Sequence, residues 1–197
     1  MKRFYLFFGF LLIVWLSSAA GANVSAQGRE RFTGTVISYG SGFNTRTVTR
    51  TFTLDITGRT ADQQAQSFLG ILRESGQDRL LDAIDDQELG RFSVGPNVGV
   101  PINVVRESVV NGQRRIFVVF RRWQQFAELR GGYRSTDYPF GVIELYVDER
   151  TGKGEGTYIA AARIRWEDEG RNNQPQIEIE NFATYPARLL GVTRRAR

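Results

Sequence analysis

The segment INVVRESVVNGQRRIFVVFRR, residues 102–122, decides the fold class. It predicts two strands, Ile102–Val110 and Arg114–Arg122, joined by Asn111-Gly112, the dipeptide that most strongly favours a two-residue hairpin turn. Within the second strand, residues 116–120 are apolar without alternation, a pattern typical of a strand that is buried on both faces. We therefore expect an antiparallel sheet with this strand at its centre.

Further strand patterns lie on both sides of this hairpin, and short turn-rich segments separate them. They are Phe32–Tyr39, Thr47–Ile56, Arg91–Val98, Gly141–Asp148, Thr157–Trp166 and Gln176–Phe182. Thr47–Ile56 alternates threonines with apolar side chains, as a half-buried strand does. The Gly-rich stretch 149–156 is predicted to be a flexible hairpin loop. Together these patterns predict a mainly β fold, an antiparallel sandwich or barrel of about eight strands.

Between residues 61 and 89 the apolar period becomes that of a helix, with Gly76 as an internal stop. Thr60 and Gln63 have the spacing of a capping box, which predicts the start of the first helix. We expect a short two-helix insertion here. Its acidic side chains are expected to form a solvated face, and they are Asp78, Asp82, Asp85, Asp86 and Glu88.

Residues 1–26 have the pattern of an export signal. A positively charged start precedes an apolar run, Phe4–Leu16, and small residues then lead to Ala26. We expect cleavage after Ala26, with Ala22 as the alternative, and a globular β-rich domain over residues 27–197 that keeps no membrane span. An uncleaved membrane anchor is the competing interpretation. Both interpretations place the domain in the periplasm or outside the cell.

The composition excludes most familiar catalytic machinery. The 197 residues include no Cys and no His, so the chain has no thiol nucleophile, disulfide, imidazole metal ligand or Ser-His-Asp triad. We expect no cofactor and no bound metal. Oxygen ligands alone would suit Ca²⁺ or Mg²⁺, and residues 148–152 lack the alternating acids of a calcium loop and are predicted to be a turn.

The positive charge is mild and comes almost wholly from arginine. The formal net charge of +5 falls to +3 when Lys2 and Arg3 are left out, which is too small to imply nucleic acid. Lys153 is the only later lysine, and its Gly-rich surroundings lack the spacing of a phosphate loop. The C-terminal arginines at 194–197 are expected to be a solvated tail, with contact to anionic lipid or cell-wall polymer as the alternative.

Carboxylates are the main catalytic resource that remains. Glu144 shares a strand face with Asp148, at roughly 13 Å, which exceeds the spacing of about 5 to 9.5 Å that glycoside hydrolysis uses. Ordinary alternation on a solvated face is the simpler interpretation of Glu144. It is the single weak catalytic candidate, under the alternative that the protein is a carboxylate-dependent hydrolase of an extracellular saccharide or other polymer.

A binding surface is predicted between residues 121 and 140, where arginines are interleaved with aromatic rings. This combination suits anionic ligands and ligands that stack. The predicted ligand-binding residues are Arg122, Trp123, Arg130, Tyr133, Arg134 and Tyr138. A long sheet connection that returns its aromatic rings to the core is the alternative. The sequence thus favours a non-catalytic exported domain that binds an anionic or stacking ligand or an envelope protein, and it disfavours nucleic acid and enzymatic activity.

Overall fold

The structure is a computed structural model that describes residues 28–39, 46–124, 134–168, 175–183 and 185–196. The predicted export signal lies outside the described residues. No helix within the described ranges is long and apolar enough to cross a membrane. The described strands are β1 Glu30–Ser38, β2 Val48–Ile56, β3 Gly90–Val94, β4 Val100–Pro101, β5 Val104–Val110, β6 Gln113–Arg121, β7 Phe140–Val147, β8 Lys153–Glu167, β9 Gln176–Asn181 and β10 Ala187–Ala196. The helix α1 spans Asp62–Asp85.

The strands form one antiparallel sheet that curls into a half-barrel. Its order is β4-β3-β2-β1-β10-β8-β7-β6-β5, and β9 pairs with β8 beside this path. The curl brings distant strands together, since the rings of Phe92 in β3 and Phe120 in β6 lie 5.8 Å apart across the interior. The mainly β, antiparallel class is confirmed, with ten described strands where about eight were expected.

Backbone hydrogen bonds link the two ends of the curled sheet. The amide of Thr60 donates to Val105 O at 2.9 Å, and the amide of Leu89 donates to Ile102 O at 2.8 Å. The amide of Ile102 in turn donates to Gly90 O at 3.0 Å. Segments beside β2 and β3 thereby contact β5 and the residues before it, which limits how far the sheet can open.

The helix α1 covers part of the outer face of the sheet, where Phe68 and Leu72 pack with Val119 and Val142. It is interrupted at Gly76, whose φ of 79° is not helical, so one helix with a break stands where two short helices were expected. The predicted acidic face is also exposed.

The predicted capping box is wrong. The N-cap residue of α1 is Ala61, which makes no side-chain capping hydrogen bond. The hydroxyl of Thr60 instead accepts a hydrogen bond from the amide of Val105 at 3.0 Å. The Thr60 hydroxyl therefore binds the backbone of β5 and does not cap the first turn of α1.

Strand β6 is buried on both faces as predicted, but it does not lie at the centre of the sheet. Ile116 and Phe120 face the interior core, whereas Val119 packs against the residues of α1. In the sheet order β6 is next to the edge strand β5, and β10 occupies the middle position. Two-sided burial arises here because a helix covers the outer face, which a strand beside an edge can also achieve.

Strand β10 corrects two further predictions. Residues 187–196 pair with β1 on one side and β8 on the other, so the C-terminal arginines through residue 195 belong to a strand and not to a solvated tail. Lys153–Gly156, predicted to be a flexible loop, form the start of β8 and pair with β7 and β10. Leu189 and Val192 are buried in the core because neighbouring strands flank them.

Charged side chains close one end of the interior. This ionic cluster consists of Glu30, Arg59, Glu107, Arg114 and Arg194. Arg114 donates to both carboxylate oxygens of Glu30, at 2.9 and 2.6 Å, and to both of Glu107, at 2.7 and 2.9 Å. Arg59 binds the same two carboxylates. Glu30 begins β1 and Arg114 lies at the start of β6, so the cluster ties together strands from the two halves of the sheet.

Stability is expected to fall in acid because of this cluster. Burial raises the pKa of Glu30, but the hydrogen bond and charge of Arg114, with the charges of Arg59 and Arg194, outweigh it and leave the pKa below its ordinary value of 4.5. The stabilisation from Glu30 is therefore present above pH 4.5 and lost as the pH falls through the folded-state pKa. Urea unfolding of the wild type and Glu30→Gln at pH 7 and pH 3.5 tests this, with a smaller decline expected in the variant. Equal declines would contradict it.

Candidate functional site

The predicted binding surface is anchored by a fixed stem, which we define as residues 122–124 and 134–139 between β6 and β7. Arg122 holds its two halves together. Its Nε donates to Tyr138 O at 2.6 Å, its Nη2 donates to Ser135 O at 2.6 Å, and its amide donates to Pro139 O at 2.9 Å. Charged donors bound to carbonyl oxygens make strong hydrogen bonds, so Arg122 fixes the backbone of the stem.

Trp123 projects from this stem into solvent. Its side chain is 73% exposed, although both neighbours make hydrogen bonds to the other half of the stem. The amide of Arg122 donates to Pro139 O, and the side chain of Gln124 donates to Thr136 O. An indole combines a large apolar surface with a polar N–H, and here the backbone that carries it is held by hydrogen bonds. Among the predicted site residues that the structure describes, Trp123 has the most exposed ring.

Tyr138 has a different role in the structure. It is 6% exposed, and its hydroxyl donates to Glu180 Oε1 at 2.6 Å. Its ring centroid lies 5.1 Å from that of Phe182. Tyr138 therefore joins the stem to β9 and the residue after it, and it supports the surface more than it forms part of it.

Four of the six predicted ligand-binding residues lie in the stem. Arg122 and Trp123 lie on one half of it, and Arg134 and Tyr138 lie on the other. Arg122 donates a hydrogen bond to the carbonyl oxygen of Tyr138. Arg134 begins a 3-10 helix, Arg134–Asp137, on the other half of the stem. Arg130 and Tyr133 lie outside the described residues.

Two neighbours of Tyr138 were missed by sequence reasoning. Glu180 accepts its hydroxyl, and Phe182 is 49% exposed beside its ring. A signal was available in the strand prediction for Gln176–Phe182. Since Ile177 and Ile179 pack with the residues beneath α1, alternation places residues 180 and 182 together on the opposite face.

Aromatic rings occupy the interior of the half-barrel beside the stem. Tyr158 packs against Phe92 at 4.9 Å and against Phe120 at 6.4 Å between ring centroids. Burial raises the pKa of Tyr158 to about 12, and the charge of Arg122 opposes this rise. A phenol of this pKa stays protonated at neutral pH, so Tyr158 acts as a packing group with a neutral hydroxyl.

The weak catalytic candidate, Glu144, is held by other side chains and is only 7% exposed. Arg115 Nε donates to its Oε1 at 2.6 Å, and the Tyr146 hydroxyl donates to the same oxygen at 2.9 Å. The prediction of a solvent-facing position is therefore wrong. Burial raises the pKa of Tyr146, and its hydrogen bond to Glu144 raises it further, so this tyrosine is a hydrogen-bond donor and not a base.

The predicted turn after β7 is confirmed. The carboxylate of Asp148 accepts a hydrogen bond from the amide of Thr151 at 2.8 Å. That hydrogen bond holds the pKa of Asp148 below its ordinary value. Across the described ranges, no three or more acidic side chains are grouped in a way that could hold a metal ion.

Fold and site together define a curled antiparallel β domain that displays one indole ring on a fixed stem. Comparison of the chain with protein-family models, with curated proteins and with solved structures finds no match. What the site can bind is therefore indicated only by the residues of this chain. The exposed ring of Trp123 is suited to stacking, and the neighbouring guanidinium of Arg122 makes hydrogen bonds within the stem.

Proposed function

We propose that the protein is an exported, non-catalytic binding domain whose ligand stacks on Trp123. The observation that carries this proposal is the 73% exposure of the indole on a stem that Arg122 fixes. A backbone that is already fixed loses little conformational freedom when a ligand packs on the side chain it carries, which favours binding. Ligands with a flat apolar face, such as a sugar ring or an aromatic group, suit this surface.

The proposed location outside the cytoplasm rests on the sequence of residues 1–26. Its charged start, apolar run and small-residue end are the features of a signal peptide. An exported domain without cysteine must be stabilised by its core and its ion pairs. The filled interior and the ionic cluster are consistent with such a domain.

The hydrolase alternative is less well supported by the described carboxylates. Glu144 is bound by Arg115 and Tyr146, and the acids of the ionic cluster are bound by arginines. Burial raises the pKa of Glu178, but this side chain pairs with Arg165 at 2.8 Å on β9. A general acid needs a free proton next to a substrate, and these side chains are committed to partners within the protein.

Fluorescence of Trp123 tests the proposal directly. In the chain with Trp15→Phe and Trp166→Phe, Trp123 is the sole tryptophan. Titration with a neutral glucan and with an oligothymidylate is expected to give a saturable change in its emission with at least one of them. Calorimetry with that ligand should then show binding at least about tenfold weaker in Trp123→Ala, because truncating a tryptophan anchor commonly costs more than 1 kcal/mol.

Tyr185→Ala is a matched control, since Tyr185 is a different aromatic side chain that is 54% exposed. Its binding should equal that of the parent chain. An emission spectrum that stays constant with both ligands would contradict the proposal. Equal losses in Trp123→Ala and Tyr185→Ala would contradict the assignment of Trp123.

A further inference from the structure

A second surface lies on the outer face of the sheet, away from the stem. The register places Lys153 of β8, Thr193 of β10, Thr33 of β1, Thr53 of β2 and Ser93 of β3 in one row across five adjacent strands. Arg195 follows Thr193 by two residues and therefore points to the same side. We call these six residues the outer strip.

Alternation shows that the outer strip faces away from the core. Phe32, Phe52, Phe92 and Val192 precede its members on four strands, and all are buried in the interior. Successive side chains of a strand point to opposite faces. With strands about 4.8 Å apart, the row from β8 to β3 extends roughly 19 Å. It is thus long and narrow, unlike the single ring that the stem displays.

The outer strip carries hydroxyl groups that can bind a ligand. Among the described residues, the hydroxyls of Thr33, Thr53 and Ser93 make no hydrogen bond to the protein, and that of Thr193 contacts Gly191 O at 3.5 Å. Each hydroxyl can donate one hydrogen bond and accept two. A row of such groups matches a ligand that also presents hydroxyls at regular intervals.

Two exposed cations lie at one end of this row. Lys153 is directly opposite Thr193, and Arg195 is on the same strand as Thr193. Within the part of the chain that the structure describes, neither side chain forms an ion pair or a hydrogen bond. By contrast, Arg31 in the neighbouring row binds both oxygens of Asp55, at 2.6 and 2.8 Å. The free positive charge of this face is therefore concentrated at Lys153 and Arg195.

We propose that the outer strip binds a linear acidic polysaccharide. Lys153 and Arg195 pair with its carboxylate or sulfate groups, and the row of hydroxyls hydrogen-bonds to its sugars. The charge complementarity of the two unpaired cations selects an acidic ligand, and the extended row selects a chain over a compact ligand. This inference does not depend on Trp123, which lies outside the strip.

Two other polyanionic surfaces fit the outer strip less well. Single-stranded nucleic acid is usually bound by aromatic rings on which its bases stack, and the six residues include none. A membrane surface is bound through apolar side chains that enter the lipid, and the six residues include none of these either. A hydroxyl-rich polymer with acidic groups remains the ligand that matches both kinds of side chain.

Calorimetric titration of the full chain with polygalacturonate at low salt tests the proposal. We expect saturable binding that weakens as salt is added, because screening reduces interactions between exposed charges. The double variant Lys153→Ala with Arg195→Ala should bind at least about tenfold more weakly and lose most of this salt dependence. Thr33→Val with Thr53→Val should weaken binding by about fivefold for each hydroxyl that is removed.

The matched control is Arg73→Ala with Arg79→Ala, which removes the same charge from exposed positions of α1. It should bind like the wild type. Absence of binding by the full chain, or equal binding by the control and the Lys153 and Arg195 double variant, would overturn the proposal. Tighter binding of an oligothymidylate or of anionic phospholipid vesicles that is weakened by the Lys153 and Arg195 double variant, and not by Trp123→Ala, would overturn the choice of polysaccharide. Trp123→Ala should leave this binding unchanged, so failure here and failure of the stem proposal can be distinguished.

Discussion

Gly156→Ala is expected to lower the free energy of unfolding by at least about 3 kcal/mol, the largest effect of any substitution considered for this protein. A Cβ atom at this position would lie 2.1 Å from Glu144 O and 2.8 Å from Leu145 Cδ2. Both atoms belong to β7, which pairs with Gly156 in register at Leu145. The carbonyl cannot move away without disturbing hydrogen bonds between β7 and β8, so relieving the clash would itself cost free energy.

Gly70→Ala is the control for this substitution. Gly70 lies in α1, and a Cβ atom there would meet nothing within 4 Å. Alanine is a better helix former than glycine, so Gly70→Ala should raise the free energy of unfolding by about 0.5 to 1 kcal/mol. Urea unfolding followed by circular dichroism measures both. If the two substitutions changed stability by similar amounts, the close approach of β7 and β8 at residue 156 would be incorrect.

Glu30→Gln is expected to lower the free energy of unfolding at pH 7 by about 3 kcal/mol. The change removes the negative charge that Arg114 binds through two nitrogens and that Arg59 also binds. The side chains of these arginines are only 11% and 10% exposed. Removing one partner from a largely buried ion pair leaves charge that water cannot fully solvate, which is costly. The same change should loosen the contact between the ends of β1 and β6.

Glu155→Gln provides the comparison with a surface pair. Glu155 and Arg188 are 3.3 Å apart, with side chains 65% and 48% exposed. Exposed pairs contribute little, so this variant should differ from the wild type by less than about 0.5 kcal/mol. Chemical unfolding at neutral pH gives both values. A Glu30→Gln variant as stable as Glu155→Gln would show that the ionic cluster does not help to close the half-barrel.

The candidate site illustrates how local and tertiary information differ. The interleaving of arginine and aromatic residues predicts a binding surface between residues 121 and 140, and it treats Arg122, Trp123 and Tyr138 as equivalent. In the structure Arg122 binds backbone carbonyls, Tyr138 binds Glu180, and only Trp123 of these three has an exposed ring. Which side chain faces solvent depends on contacts with residues up to 42 positions away, as for Tyr138 and Glu180. The composition of a short segment does not indicate contacts with residues that are this far away in the sequence.

Glu144 shows the same limit within a strand that was otherwise predicted well. The alternation of Gly141–Asp148 correctly placed Ile143, Leu145 and Val147 in the interior. It also placed Glu144 on the opposite face, but it could not show that Arg115 on β6 would cover the carboxylate. For the ionic cluster a signal did exist. Because Ile116 and Phe120 face inward, Arg114 falls on the inward side by the same alternation.

The sequence by itself determined the mainly β class, the hairpin at Asn111-Gly112 and the break in α1 at Gly76. These features follow from the conformational preferences of neighbouring residues, and the positive φ values of Asn111, Gly112 and Gly76 agree with them. Only the tertiary structure decided that β10 lies in the middle of the sheet, that charged side chains close one end, and that Lys153, Thr193 and Thr33 form one row. Strand order and register depend on contacts between distant segments, whereas periodicity reports only which face of its own strand a residue occupies.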